Sequence, residues 1–312
     1  MSSEKIASAV NILKGNLAAS WDILSGSQGE SERLNIANRF GGSAAAYSLR
    51  DIGGIGNRTV PNAVIKVRRD NDDTTQDFSA NQVATGQVEA FVGSGNNGFV
   101  TIWYDQSGNK NDAAQATKAN QPKIVNSGTL LTDGLLFDGT NDFLQTSTQV
   151  LTGTETGSNG IYAVVKVTSG DSGYVAGSAS DNSGSDKVGQ SIYADGATSN
   201  KFILTNGSDA NSTNFDNITI TESAFCLISA CYNNNSTNTL QKNSSTSGYS
   251  DGSSAYNFNA GTKFTIGHRE RSSGVVGATM LNGSLKEIIA FDIDTTSDRS
   301  EIQADIINYY GL

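Results

Sequence analysis

Two periodicities divide the chain. Over residues 3–24, Ile6, Val10, Leu13, Leu17, Trp21 and Leu24 recur at spacings of three and four, which places them on one stripe of a helix. Ser2 or Ser3 is suited to cap its start and Glu4 falls in its first turn, where the helix dipole favours an acid. Gly15 weakens this helix by about 1 kcal/mol relative to Ala. The stripe has two open readings: a helix packed on its own domain, or an anchor and oligomerisation segment. Residues 25–45 are a Gly/Ser-rich connection with one short helix around Glu30 to Phe40. From Ala46 onward short β-branched and aromatic runs return between turn formers, the pattern of strands. Such runs occupy 63–68, 98–104, 134–139, 161–167, 191–194, 201–204, 217–220, 225–232, 262–266 and 283–291. The chain then closes on a helix that opens at Thr296 to Arg299, buries Ile302, Ile306, Ile307 and Tyr310, and stops at Gly311. Many short strands with dense turn signals predict an all-β sandwich or barrel.

Composition sharpens this reading. Hydrophobic residues make up 36% and charged residues 17% of the 312 residues; Gly, Ser, Thr, Asn and Asp fill the difference, and these residues build turns. The two prolines, Pro61 and Pro122, leave no room for a Pro-rich linker. Residues 233–254, nearly all Asn, Ser, Thr and Gly, read as a long hairpin or exposed loop. The glycine cluster Gly53, Gly54 and Gly56 lacks the strand–helix context of a dinucleotide site and reads as a turn. A net charge of −10 repels phosphates and sets nucleic-acid binding aside. No run of eighteen apolar residues suits a membrane span, and the start lacks the basic and apolar stretch of a secretory signal.

Few residues offer metal or nucleophile chemistry. Cys226 and Cys231, an odd number of positions apart in one strand, fall on opposite faces and cannot bridge each other. The lone histidine, His268, excludes a His-rich metal site. Asp105, Gln106, Ser107, Gly108 and Asn109 end a strand, and such residues build a rigid corner because their side chains bond nearby backbone N–H groups. The functional alternative is a sugar- or cation-facing loop, with Asp105, Asn109 and Asp112 offering oxygens to Ca²⁺ but without EF-hand spacing. Asp138, Asn141 and Asp142 carry the same pair of readings.

Three strings in order, Ala46–Arg50, Val67–Asp70 with Gln76–Phe78, and Ile102–Asp112, resemble the start of the catalytic domain of the α-L-arabinofuranosidase B family. Phe137–Leu144 is similar to a strand of laminin-G-like lectin domains, and 281–312 resembles the closing strand and helix of the same superfamily. The combination also resembles domains of phage virion proteins. The resemblance implies a concanavalin A-like jelly-roll sandwich over 41–312, with 1–40 as a helical anchor whose stripe is the assembly surface. It also implies two carboxylates and vicinal cysteines if the chain is a glycosidase. By order, Thr205 and Gly207 stand where the carboxylates belong, and Ser172, Gly173 and Tyr174 replace the cysteines. Glu270 is flanked by Arg269 and Arg271, cations that favour the ionised form and oppose a general acid.

The expectation is therefore a non-enzymatic virion protein, a capsid decoration or tail-fibre adhesin released by lysis. It would contact other virion proteins and further copies of itself, and bind host-surface glycans through Trp103, Tyr104, Asp105, Asn109, Asp112, Tyr174 and Glu270. Ca²⁺ is the one cofactor left open. A soluble lectin module and an active arabinofuranosidase-like hydrolase are the alternatives.

Overall fold

A computed structural model describes residues 36–40, 42–53, 62–152, 158–168, 170–181, 187–196, 201–206, 215–219, 224–232, 238–244, 250–251, 263–271 and 280–312. The helix read over 3–24, with its stripe of Ile6, Val10, Leu13, Leu17, Trp21 and Leu24, lies outside the described residues, as do Gly54, Gly56 and Gly207. Of 233–254, the described parts are two short strands, Asn238–Lys242 and Ser250–Asp251, and the turn at 243–244.

The architecture is the all-β sandwich that the strand pattern predicted. Asn282–Phe291 runs through the middle of the first layer. Asn159–Val167 pairs along one side of it, and Leu135–Asp138 and Ala45–Ser48 share the other. The layer continues from Asn159–Val167 through Cys226–Tyr232 to Asn238–Lys242. The second layer runs in space from Thr75–Ser79 through Ala63–Arg69, Gly98–Trp103, Ala113–Ala114, Leu144–Gln149 and Lys263–Ile266 to Ser172–Asp181, Lys187–Asp195, Lys201–Asn206 and Phe215–Thr219. Gly98–Trp103 forms the corner between layers. Its end pairs with Ala113–Ala114, while its start pairs with Lys123–Asn126, which leads into the first layer. Hydrogen bonding is therefore continuous through the 20 strands among the described residues.

Alternation along the strands decides what each face covers. Ile161, Ala163, Val165 and Val167 point between the layers, where they join Ile192, Ala194, Phe202, Phe264 and Ile266 from the opposite side. Tyr47 of the first layer stacks on Phe264 of the second at 6.3 Å. The intervening residues Tyr162 and Val164 face outward, with Ile289 and Phe291, under the closing helix Arg299–Tyr310. That helix buries Ile302, Gln303 and Ile306, and Gly311 ends it in the left-handed conformation at φ +68°. Ile36, Ala37 and Phe40 pack on the same outer face. The cysteines sit as their spacing requires: Cys226 between the layers and Cys231 under the helix, both free.

Several strands carried no sequence signal. Ser172–Asp181 has the composition of a loop yet lies in the interior of the second layer, paired with Lys187–Asp195 on one side and with Lys263–Ile266 and Glu270–Arg271 on the other. Neighbouring strands on both sides supply what its own residues do not.

Candidate functional site

The corner after Gly98–Trp103 is built from the residues the sequence singled out. The Asp105 carboxylate accepts the N–H groups of Ala46 (2.9 Å), Ser107 (2.8 Å) and Asn111 (2.9 Å) and the Ser107 hydroxyl (2.7 Å). Asp112 accepts the Asp105 N–H at 2.9 Å, and the Asn109 amide donates to the Ser43 and Ala44 carbonyls. Trp103 is fully buried against Tyr47, and Tyr104 donates to Asp77 at 2.6 Å. Both Asp105 oxygens are occupied by donors, and the set pins the strand Ala45–Ser48 in place. Among the described residues no group of three or more His, Cys, Asp or Glu side chains could hold a metal.

The second string closes on itself in the same way. Asp138 accepts the N–H groups of Thr140 and Asn141, and Asp142 accepts the N–H of Asp138 at 3.1 Å. Burial, and then the charge of Asp138, push the Asp142 carboxyl up to about 7. Both acids border an open pocket of about 350 Å³ with Phe99, Gln121 and Lys123.

Tyr174 is nearly buried, 4.8 Å from the Tyr193 ring, with the Arg269 guanidinium 4.9 Å above it. His268 lies against Phe143, ring to ring at 5.1 Å. Gly267, at φ +82°, turns the chain between Lys263–Ile266 and Glu270–Arg271, and a Cβ there would stand 2.5 Å from Phe137. The turn sets the backbone of Glu270 opposite Ser180; the Glu270 side chain lies outside the described residues. Tyr174 and the corner residues 103–112 therefore belong to separate places, since Ala113–Ala114, Leu144–Gln149 and Lys263–Ile266 intervene between their strands.

A different group stands out by its burial. Ser178 and Gln190 are opposite one another in paired strands and are 0% and 1% exposed. They share the inward face with Ala176 and Ile192, their neighbours two positions along. The Ser178 hydroxyl and both amide atoms of Gln190 have no hydrogen-bond partner among the described residues. Asn159, 0% exposed, is equally without partners for its amide, and alternation with Ile161 and Ala163 turns it inward from the first layer. Asn159–Val167 leads directly through 168–171 into Ser172–Asp181. The start of one strand and the end of the next therefore lie at the same end of the sandwich. Asn159, Ser178 and Gln190 are thus buried polar residues on inward positions of three strands toward that end, and Ser178 is on the strand that also pairs with Glu270. Sequence reading missed all three. Their signal was a single polar residue on the apolar phase of a strand, as in Gln190, Ile192, Ala194, and it becomes visible only once strand and phase are known.

No protein-family model matches the chain, and no curated protein does. Solved structures do. An arabinofuranosidase complexed with arabinofuranosyl-α-1,2-xylobiose matches with a TM-score of 0.63 and 16% identity over 88% of this chain and 64% of its own. A GH54 α-L-arabinofuranosidase soaked with a cyclic sulfate inhibitor matches with a TM-score of 0.60 and 15% identity, over 88% of this chain and 65% of that one. A Trypanosoma rangeli sialidase in complex with sialic acid matches at 0.45 and 13% identity, over 66% of this chain and 31% of its own. The chain thus spans about two thirds of the length of the arabinofuranosidases.

The expectation of a non-catalytic protein is corrected by these neighbours, whose fold the chain shares and which are glycoside hydrolases holding sugar or inhibitor. Nothing in these neighbours supports the phage-particle context. The chain is a β-sandwich of the fold seen in solved arabinofuranosidases.

Proposed function

We propose that the chain acts on carbohydrate and hydrolyses a glycosidic linkage at the polar end between its two layers. The observation that carries this reading is the inward set of Asn159, Ser178 and Gln190 without partners among the described residues. Each buried polar group without a partner costs about 1–3 kcal/mol, which supports a ligand that supplies the missing bonds. A sugar suits them, because its hydroxyls both donate and accept, as do the two amides and the serine. Glycoside hydrolysis also needs carboxyl groups beside the bond, and Glu270, whose backbone is in register with Ser180, is the candidate we assign to that role.

The test is turnover of a panel of 4-nitrophenyl glycosides, with the α-L-arabinofuranoside first. Gln190→Ala is expected to lower kcat/KM by about tenfold or more, and Glu270→Gln to lower kcat with little change in KM. Absence of turnover across the panel and on arabinoxylan, arabinan and bacterial surface polysaccharides sinks the hydrolase reading. Placement on a virion, with contacts to other virion proteins and copies of itself, is a separate proposal that rests on the sequence strings. Finding the chain in purified particles would support it.

A further inference from the structure

We propose a second carbohydrate-binding site, on the outer side of the first layer, where the Tyr309 ring serves as a stacking platform for sugar units of a neutral polysaccharide. This rests on the carbohydrate reading above and extends it to a place remote from the polar end. The closing helix begins near that end, where Arg299 contacts Thr239. It delivers Tyr309 and Tyr310 about 16 Å away along its axis, at 1.5 Å per residue.

Tyr309 is 55% exposed, and among the described residues the only other large hydrophobic side chain exposed to solvent is Ile293. An exposed tyrosine at a helix end is ordinarily mobile, but this one is held from behind. The Arg50 guanidinium lies 4.1 Å from its ring centroid, and the Tyr310 ring meets it edge-on at 4.8 Å. Arg50 is itself locked: its Nε and Nη2 donate to the two Glu287 oxygens at 2.7 and 2.8 Å, and that carboxylate also accepts from Ser48 and Tyr310. The ring is thus fixed before any ligand arrives, which removes part of the entropy cost of binding.

Beside the ring is an open groove of about 420 Å³, within the range of small-ligand sites. Val83, Leu130 and Leu131 contribute apolar wall, and Asn81, Thr132 and Lys286 offer polar groups. Lys286 reaches this place because the register between Asn159–Val167 and Asn282–Phe291 slips by one residue there, at a bulge that leaves it out of the pairing. Arg50 is neutralised by its pairing with Glu287, and the groove's remaining charged residues, Lys286 and Asp51, are of opposite sign. An aromatic face with balanced charge and scattered hydrogen-bonding groups is the chemistry of a neutral sugar rather than of a phosphate or an acidic peptide.

The experiment is affinity electrophoresis of the full chain in gels containing arabinoxylan, arabinan or, as an acidic control, polygalacturonate. Light scattering on each variant runs in parallel. Tyr309→Ala is expected to weaken retardation by a neutral polysaccharide by about tenfold, and Tyr309→Phe to retain it, with 4-nitrophenyl glycoside turnover unchanged in both. Retardation that depends on Tyr309 in a chain that hydrolyses nothing leaves this site standing and removes the hydrolase reading. The inference is overturned if the wild-type chain binds neither neutral polysaccharide, if Tyr309→Ala binds as wild type, or if the substitution changes the molecular mass, which would make the ring a contact between copies.

Discussion

Single residues on this chain act through whom they meet rather than through their type. Asp105 and Asp142 are both aspartates in loops rich in Asn and Gly. Asp105 is enclosed by N–H and O–H donors, whereas the Asp142 oxygen has one backbone donor and sits beside Asp138. Burial and the neighbouring charge raise Asp142 to about 7, so the folded chain holds a proton that the unfolded chain releases near pH 4. Stability from this group is therefore fully present below about pH 4 and is lost as pH rises through about 7. Asp142→Asn keeps an acceptor for the Asp138 N–H without the titration. The variant is expected to gain about 1–3 kcal/mol over the wild type between pH 4 and pH 8, measured by urea unfolding at each pH. Equal pH slopes for the two proteins would remove the assignment.

At the scale of elements, the corner at 104–112 matters as a clasp. Its acceptors take the N–H groups of Ala46 and Ile52 and its donors the carbonyls of Ser48 and Arg50, so a strand from the start of the described chain is fixed beside Asn282–Phe291 near its end. Asp105→Ala removes every one of the carboxylate's bonds and leaves buried N–H groups without acceptors. The expected loss is about 2–4 kcal/mol, read as a lowered midpoint in thermal unfolding. Turnover of a good glycoside substrate by the folded fraction should be unaffected, because the clasp is remote from Gln190 in the strand order. Loss of turnover without loss of stability would instead make the corner part of the sugar site, as one reading of its sequence had it. The corner's tightness was legible from its Asp, Ser, Gly and Asn residues. Its partners were not, because they stand more than fifty positions away in the chain.

For the whole molecule, the sandwich with its helix cover occupies the described residues from Ile36 onward. Ile36, Ala37 and Phe40 are members of the cluster under that cover, so a cut after residue 40 strips apolar contacts that a cut after residue 35 keeps. Residues 41–312 are expected to melt about 5 °C or more below residues 36–312. Light scattering on 36–312 and the full chain tests the anchor expectation for the stripe Ile6 to Leu24. If 36–312 and the full chain have the same mass per particle, that stripe does not assemble copies.

The sequence by itself determined the fold class, the strands dense in Val, Ile and Phe, the closing helix and the opposed cysteines. These follow from period, turn chemistry and side-chain parity, all of which are local. It could not show that Ser172–Asp181 is an interior strand, since its apolar run is confined to Tyr174, Val175 and Ala176 and the rest is held by neighbours on both sides. Nor could it show that Ser178 and Gln190 stand opposite one another on inward positions, or that Arg50 and Glu287 back the Tyr309 ring. Those depend on which strand pairs with which and in what register, and register is decided by packing between segments far apart in the chain.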